Sequence, residues 1–484
     1  MTTLMLSPAG RRIDVEEGTA LRDVLFEAGV EFPCGGRGRC KACRVRVLKG
    51  RLEPEEEEHR RLSVAELAQG WRLACRHAVS GDLELELAQW EMPVLSDHTL
   101  FALAPQPGFG IAVDLGTTTI AAQLLDLATG HVLAAETALN VQARYGADVL
   151  SRVEYALGGG QEELQRLVRA QIGEITGRLS GDRPLTRIVV VGNAVMHHLF
   201  CGLDVAPLAV HPFQPEHPDR VHLPEEEFGA PLEFLPCIGG LVGADILAGI
   251  MATGLHKATA LCALVDLGTN GEVVVGRRGR LLCTSTAAGP AFEGARIAQG
   301  MRAATGAISE VVLSDGALHC RVIGGGPARG LCGSGLVDAA AAGLELGAID
   351  AGGRLAEPLA LSGNVALHPH DVRELQLAKG AIAAGLRILA SRFGARPDDI
   401  ERLHLAGAFG NYVSRASASR IGLMRLPMEQ MVPAGNTALL GAKRALFEDT
   451  GPWDTLARSI EHVSLNEEPA FQEIFAEEMS FPAG

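Results

Sequence analysis

The 484-residue sequence has no apolar run long enough to cross a membrane. A membrane-spanning helix needs about 20 consecutive apolar residues, but the richest candidate, residues 236–251, is interrupted by Asp245 and four glycines. The first residues also lack the basic segment and the apolar core of a secretory signal. We therefore expect a cytoplasmic protein without a membrane partner.

An excess of positive charge is absent as well. The 43 Lys and Arg residues are outnumbered by 58 Asp and Glu residues, so the formal net charge is -15. A surface of this sign repels phosphate backbones, which argues against broad nucleic-acid binding. Hydrophobic residues make up 47% of the chain, which is enough for a sizeable core, and the length predicts about three domains.

Cysteine is too sparse for a disulfide scaffold, because the chain has only ten, four of them in the first 75 residues. We expect the others to be small buried hydrophobes. They are Cys201, Cys237, Cys262, Cys283, Cys320 and Cys332. For Cys332, which shares a glycine-rich turn with Ser334, contact with a docked cofactor is an alternative.

The four N-terminal cysteines have a specific spacing. Cys34, Cys40 and Cys43 are separated by five and two residues, and Cys75 follows after 31 more. Thiolates in a glycine-rich loop suit a two-iron two-sulfur (2Fe-2S) cluster, because backbone N–H groups can turn toward its negative sulfurs. A four-cysteine zinc site is the alternative, although zinc ribbons pair two close doublets. The pattern resembles the two-iron ferredoxin family, which implies a β-grasp fold and the transfer of one electron.

Proline and glycine at residues 104–108 interrupt regular structure and predict a linker. Beyond it, apolar residues recur at helical spacing within residues 164–179 and 375–389, which predicts helices packed on sheets in an α/β architecture. The predicted boundaries are 1–95 for the first domain, 96–108 for the linker, 109–258 and 259–445 for two lobes, and 446–484 for a C-terminal extension.

The tetrapeptide AspLeuGlyThr occurs twice, at residues 114–117 and 266–269, each time between strand candidates. Glycine on a tight turn lets backbone N–H groups approach phosphate, and an aspartate can hold Mg²⁺ through its waters. One such turn could be only a turn, but two matched copies predict a phosphate site between related lobes. We assign Mg²⁺ to Asp114 and Asp266 as the catalytic pair. The predicted phosphate-binding residues are Gly116, Thr117, Thr118, Gly268, Thr269 and Asn270.

A third segment, residues 405–410, follows a strand candidate and consists mostly of small residues. It leaves room for a flat ring, so we expect Gly407 and Gly410 to flank adenosine. A Walker A lysine loop is absent from the sequence, which excludes a P-loop site. The two phosphate turns with this late segment resemble the actin, Hsp70 and sugar-kinase superfamily. That resemblance implies two ribonuclease-H-like lobes with ATP between them.

A ferredoxin module ahead of such lobes resembles the reductive activators of corrinoid proteins. Residues 192–198, 287–295 and 330–338 extend the resemblance along the chain. It implies the ATP-dependent reduction of a Co(II) corrinoid to Co(I) for a methyltransferase system. The implied partners are a corrinoid methyl-carrier protein or methyltransferase and an upstream electron donor, and a homodimer stays open.

Two other functions are alternatives. The chain could be a small-molecule kinase with a redox-regulatory domain, which would transfer phosphate to an acceptor. It could also be an ATP-gated electron donor for another low-potential enzyme. His197 and His198 invite a metal-binding interpretation, but adjacent side chains point in different directions, so we expect them to be structural.

Overall fold

The structure of the protein is a computed structural model. It describes residues 2–7, 10–30, 32, 36–38, 41, 43–87, 103–146, 148–268, 270–294, 296–410 and 412–482. Cys34, Cys40 and Thr269, three of the predicted site residues, lie outside these ranges. Within the ranges, every helix is too short or too polar to cross a membrane.

The N-terminal module is a mixed five-stranded sheet in the order β2-β1-β5-β3-β4. Its elements are β1 (Thr2–Ser7), β2 (Arg11–Val15), α1 (Leu21–Glu27), β3 (Arg44–Lys49), α2 (Glu56–Arg61), α3 (Val64–Ala68), β4 (Trp71–Leu73) and β5 (Leu83–Leu87). Leucine and glutamate alternate in β5, as expected for a strand with one buried face: Leu83, Leu85 and Leu87 are buried, while the glutamates between them are not. Strands β1 and β5 run parallel. The arrangement confirms the predicted β-grasp fold.

The first lobe is built on a six-stranded sheet in the order β10-β11-β9-β6-β7-β8. Its elements are β6 (Phe109–Leu115), β7 (Thr119–Asp126), β8 (Val132–Leu139), α4 (Val149–Tyr155), α5 (Gln161–Ser180), β9 (Leu185–Gly192), α6 (Ala194–Cys201), β10 (Val221–Leu223), α7 (Glu225–Phe228), β11 (Leu232–Phe234) and α8 (Ala244–Thr253). The apolar face of α5, including Leu164, Val168 and Ile172, is buried. This is the face that the helical spacing predicts.

The second lobe repeats this plan on a sheet in the order β21-β20-β12-β13-β14-β22. Its strands are β12 (Cys262–Leu267), β13 (Gly271–Arg277), β14 (Arg280–Thr286), β15 (Ala307–Ser314), β16 (Ala317–Val322), β17 (Gly330–Leu331), β18 (Leu359–Ser362), β19 (Val365–Leu367), β20 (Arg402–Ala406), β21 (Met431–Gly435) and β22 (Glu461–His462). The helices in this part of the sequence are α9 (Gly333–Glu345), α10 (Pro369–Ser391), α11 (Gly407–Gly410), α12 (Arg415–Arg420), α13 (Thr437–Ala445), α14 (Gly451–Ser459) and α15 (Phe471–Met479).

The two lobes share one topology. In the first lobe, β6 pairs antiparallel with β7 and parallel with β9, and β9 pairs parallel with β11. In the second lobe, β12 pairs antiparallel with β13 and parallel with β20, and β20 pairs parallel with β21. The equivalence confirms two ribonuclease-H-like lobes, with the two AspLeuGlyThr copies at matching hairpins.

The C-terminal helices are divided between the lobes. Helix α13 and helix α14 pack into the core of the first lobe, where Leu439 and Trp453 are buried among its strands. Strand β22 then returns to the second sheet beside β14, and α15 is held on α10 by an ion pair between Arg387 and Glu477 at 2.7 Å. The predicted domain boundaries stay predictions.

Candidate functional site

A cleft of about 2050 Å³ between the two lobes brings both AspLeuGlyThr turns together. The predicted residues that line it are Asp114, Gly116, Thr117, Thr118, Asp266, Gly268, Asn270 and Gly407. Gly410 is buried in α11, where a Cβ would meet the Leu405 carbonyl carbon at 3.1 Å, and it is not a lining residue. The two repeats therefore line one common cleft, while Gly410 packs against Leu405.

The first turn joins β6 to β7. Across the hairpin, Asp114 pairs with Ala121, and the Gly116 N–H donates to the Thr119 carbonyl at 3.1 Å. A Cβ on Gly116 would lie 2.5 Å from that carbonyl oxygen, a contact that only glycine avoids. The tight turn therefore requires glycine at this position.

Buried side chains hold the carbonyl groups of this turn. The Gly116 carbonyl accepts from Asn140 Nδ2 at 2.9 Å, and the Thr118 carbonyl accepts from the Asn140 N–H at 2.9 Å. The Thr117 carbonyl accepts from the guanidinium of Arg152, which is fully buried. Because C=O and N–H point oppositely within a peptide unit, the N–H groups that follow are directed away from this buried layer. The turn can therefore offer N–H donors to an anion.

Asn193 fixes the hydroxyl of the same turn. Its Nδ2 donates to Thr117 Oγ1 at 2.8 Å, and its Oδ1 accepts from the Met196 N–H at 3.0 Å as the N-cap of α6. The capping residue thus connects the start of α6 with the first phosphate turn.

The second turn joins β12 to β13. Here the Gly268 N–H donates to the Asn270 carbonyl, two residues further on, at 3.1 Å, whereas the Gly116 N–H of the first turn donates to Thr119, three residues further on. Gly407, at the start of α11, has φ of 84°, and a Cβ on it would lie 2.6 Å from Asp266 Oδ1. The residue predicted to flank adenosine therefore lies against Asp266, the predicted catalytic residue of the second turn.

Four of the carboxyl groups that line the cleft have a raised pKa, and two of these four, Asp245 and Glu272, belong to no predicted site. Burial raises the pKa of Asp114 to about 6. Burial, together with nearby carboxylates, raises the pKa of Asp266 to about 7 and that of Asp245 to about 8. Burial also raises the pKa of Glu272 well above its usual range. Ionised together these groups repel one another, so the cleft favours a cation.

A hydrogen bond between two residues that line the cleft orients one of these carboxylates. Asn436 Nδ2 donates to Asp114 Oδ2 at 2.8 Å, and Asn436 Oδ1 accepts from the Leu439 N–H at 2.8 Å as the N-cap of α13. The bond opposes the effect of burial on the pKa of Asp114. Asn436 therefore keeps the Asp114 carboxylate available to a cation.

The residues present suit a hydrated cation better than a directly bound one. In the parts of the chain that the structure describes, no three His, Cys, Asp or Glu side chains are close enough to ligate one metal ion. Mg²⁺ usually keeps several waters and uses one or two carboxylates plus substrate phosphates. Asp114 and Asp266 on one cleft fit that mode of binding.

For the other residues of the candidate site, the sequence gives a weak indication or none. Asp245 was visible as a charge inside an apolar run, and Asn193 as the residue that ends a strand. Glu272 follows the second repeat, but its counterpart in the first hairpin is Ala121, so the repeat alone does not indicate it. The roles of Asn140 and Asn436 depend on contacts distant in sequence, and no local pattern indicates them.

Two motifs outside the turns have structural contacts. His197 and His198 are fully buried in α6, and burial lowers the pKa of His197 to about 3. Cys332 Sγ donates to the Ile308 carbonyl at 3.3 Å, and Ser334 Oγ donates to the Ser309 carbonyl at 2.8 Å. Both Cys332 and Ser334 also line the cleft, so packing and cofactor contact are both compatible with their position.

Two of the four predicted cluster ligands lie in described parts of the N-terminal module. The Ala74 N–H donates to the Cys43 carbonyl at 3.0 Å, which joins the backbones that carry Cys43 and Cys75. Cys43 is buried in the module core, and Cys75 packs half-buried against it. Adjoining thiol-bearing backbones at the edge of a core fit part of a four-thiolate cluster site.

Comparison with known proteins gives matches to family models along most of the chain. The model described as "2Fe-2S iron-sulfur cluster binding domain" matches residues 4–80. "RACo middle region" matches residues 109–258, and "C-terminal domain of RACo the ASKHA domain" matches residues 260–484.

Individual relatives agree with these models. The "Corrinoid activation enzyme RamQ" of Eubacterium limosum is 34% identical over 418 residues, which cover 76% of this chain and 70% of that protein. The "[Co(II) methylated amine-specific corrinoid protein] reductase" of Methanosarcina barkeri is 28% identical over 416 residues, 77% of each chain. A solved structure of a "Reductive activator for corrinoid,iron-sulfur protein" superposes with a TM-score of 0.71 at 27% identity, covering 100% of this chain and 98% of that one. With a 2Fe-2S domain ahead of two actin-like lobes, the chain belongs to the family of corrinoid activation enzymes.

Proposed function

We propose that this protein reduces the Co(II) corrinoid of a partner protein to Co(I) in an ATP-dependent reaction. One observation carries the proposal: Phe32, Arg37 and Lys41 of the ferredoxin module line the same cleft as Asp114 and Asp266. Residues of the proposed electron-carrying module and of the proposed nucleotide-binding turns therefore line the same cleft. The partner is a corrinoid methyl-carrier protein or methyltransferase, and an upstream donor supplies the electron.

The energetics explain why ATP is required. Plant-type 2Fe-2S clusters have potentials near about -400 mV, and reduction of Co(II) corrinoids is uphill from such potentials. Each shortfall of about 59 mV costs about a factor of ten in the one-electron equilibrium. Nucleotide binding between the lobes can offset this cost only if the two nucleotide states bind the Co(II) protein with different affinities.

The residues of the cleft have distinct tasks in this proposal. Asp114 and Asp266 hold the waters of Mg²⁺, and the turn that carries Thr117 and Thr118 donates N–H groups to phosphate. Asp245 lines the same cleft, and its pKa is raised to about 8 by burial and by the neighbouring Asp114 and Asp266, so its charge depends on the cation that binds there.

The N-terminal module has the complementary task. A 2Fe-2S cluster supplies a one-electron carrier when it is bound. Cys34, Cys40, Cys43 and Cys75 would hold it, and the buried side chain of Cys43 shields that side of the site from solvent.

The test follows the visible spectrum of a Co(II) corrinoid methyl-carrier protein, mixed anaerobically with the reduced protein, with and without Mg-ATP. We expect Co(I) to form only with ATP. A reducible cluster and bound ATP without a change at cobalt would instead identify a donor for another enzyme. Phosphate transfer to a small acceptor would identify a kinase.

Mg-ATP binding is expected to strengthen as the pH rises from about 6 to about 8.5 and to release protons. The pKa values of Asp114, Asp266 and Asp245 are raised to about 6, 7 and 8, so these groups are partly protonated near neutral pH. They must ionise before a cation binds. Isothermal titration calorimetry in two buffers of different ionisation enthalpy measures the proton release, and an Asp245→Asn variant should release fewer protons. A pH-independent affinity without proton release would contradict the assignment.

A further inference from the structure

The ferredoxin module is in contact with both lobes, and the two contacts differ in chemistry. On the first lobe, Leu139 and Ala143 are buried within the hydrophobic core of the module, and Val141 packs against it. The guanidinium of Arg144 lies 4.6 Å from the centroid of the Phe26 ring in α1. This contact is mostly apolar.

On the second lobe, the contact is polar. Arg302 Nη2 donates to the Gly29 carbonyl at 2.7 Å. Arg329 forms an ion pair with Glu86 at 3.3 Å and donates to the Leu87 carbonyl at 3.4 Å. Water can replace such bonds at little cost, whereas separating an apolar contact exposes hydrophobic surface.

The first-lobe contact continues directly into the phosphate turn. Asn140 lies between Leu139 and Val141, is fully buried, and bonds through its side chain and its N–H to Gly116 and Thr118. Leu139 itself is the register partner of Thr119. A shift of the turn upon phosphate binding must therefore displace the same short segment that enters the core of the ferredoxin module.

The second-lobe contact ends close to the cysteine loop. Gly29, whose carbonyl accepts from Arg302, is five residues before Cys34. Arg302 also lines the cleft. Any change in the angle between the lobes must either move the module or break one of its two contacts.

We propose that the ferredoxin module is a mechanical bridge between the lobes, and that Asn140 is the positioning residue that couples the first phosphate turn to it. The inference rests on the proposed function, because it assumes that nucleotide binds in the cleft. When the lobes move, the module stays with the first lobe through its apolar contact and exchanges its polar contacts with the second. Nucleotide state thereby sets where the ferredoxin module, which carries Cys43 and Cys75, lies relative to the cleft.

Hydrogen–deuterium exchange on the full chain, with and without Mg-ATP, tests the bridge. Peptides that contain residues 111–119 and 262–271 report on nucleotide binding, and peptides that contain residues 21–30 and 83–87 report on the module. We expect exchange rates to change by at least about threefold in both sets. A change confined to the phosphate turns overturns the bridge and leaves the nucleotide site intact. No change in either set overturns the proposed nucleotide site and the bridge with it.

Two variants locate the coupling. Arg329→Met removes the contacts with Glu86 and Leu87 but keeps the long apolar stem. In this variant, the change in exchange rate that Mg-ATP causes in residues 83–87 should fall by at least half. The change in the phosphate turns should stay the same. Arg277→Met, at an exposed position of the second lobe, is the matched control. Unchanged module responses in Arg329→Met would overturn the bridge.

Asn140→Asp removes the donor to Gly116 and retains an acceptor for the Gln142 N–H, which bonds to Asn140 Oδ1 at 3.0 Å. The exchange rate of residues 262–271 should still change when Mg-ATP is added, while residues 21–30 should lose most of the change in exchange rate that Mg-ATP causes in the unchanged protein. A full response of residues 21–30 would overturn the role of Asn140. Should this variant fail to fold, Arg329→Met tests the bridge by itself.

Discussion

The double variant Asp114→Asn, Asp266→Asn is expected to reduce cobalt at least about 100-fold more slowly with ATP than the unchanged protein, which corresponds to a barrier higher by about 2.7 kcal/mol. Both substitutions keep the shape of the side chain but remove the negative charges that attract Mg²⁺. The cleft also loses two repelling carboxylates, whose pKa values are raised by burial, so the fold should not be weakened. The rate of Co(I) formation under Mg-ATP is the measurement.

The control is Asp182→Asn, an exposed aspartate in the loop after α5. It changes the net charge in the same direction without touching the cleft, and its cobalt reduction rate should equal that of the unchanged protein. A double variant that folds, keeps its melting temperature and still reduces cobalt at full rate with ATP would show that Asp114 and Asp266 do not hold Mg²⁺.

Replacement of one cluster ligand is expected to separate the two halves of the reaction. A Cys75→Ser variant should lose the visible absorbance of the cluster and all detectable cobalt reduction, because a serine hydroxyl is far harder to ionise than a thiol. Mg-ATP affinity should change less than about threefold, since Cys75 is not a residue of the cleft lining. Iron content, absorbance and calorimetry measure these effects.

Cys320→Ser provides the matched control, because Cys320 is a half-buried cysteine of the second lobe, in β16. This variant should keep both the cluster and cobalt reduction. If Cys75→Ser retained a normal cluster, the four-cysteine assignment would have to be replaced by another ligand set.

Local patterns predicted a large part of the fold. Alternating leucines indicate β5, helical spacing indicates α5 and α10, and the repeated tetrapeptide indicates two equivalent hairpins. These features depend on residues only a few positions apart, which is the range over which periodicity and turn chemistry act. The shared topology of the two lobes then follows from the repeat.

The part of the candidate site that the sequence does not predict depends on residues that come into contact only after folding. Asn436 bonds to Asp114 across 322 positions of sequence, and Asn140 reaches Gly116 from the end of a different strand. Asp245 interrupts an apolar run, yet its proximity to Asp114 and Asp266 appears only when α8 packs beside both sheets. Gly410 packs against Leu405 at the end of β20 and is not among the residues that line the cleft, so its predicted contact with adenosine stays a prediction.

Helices α13 and α14 pack on the first lobe, although they follow most of the second lobe in sequence. After completing most of the second lobe, the chain crosses back to add Leu439 and Trp453 to the first core, and then crosses again to add β22 to the second sheet. Each lobe is therefore built from separate segments of the sequence. Neither lobe can be excised as an uninterrupted segment without exposing apolar surface.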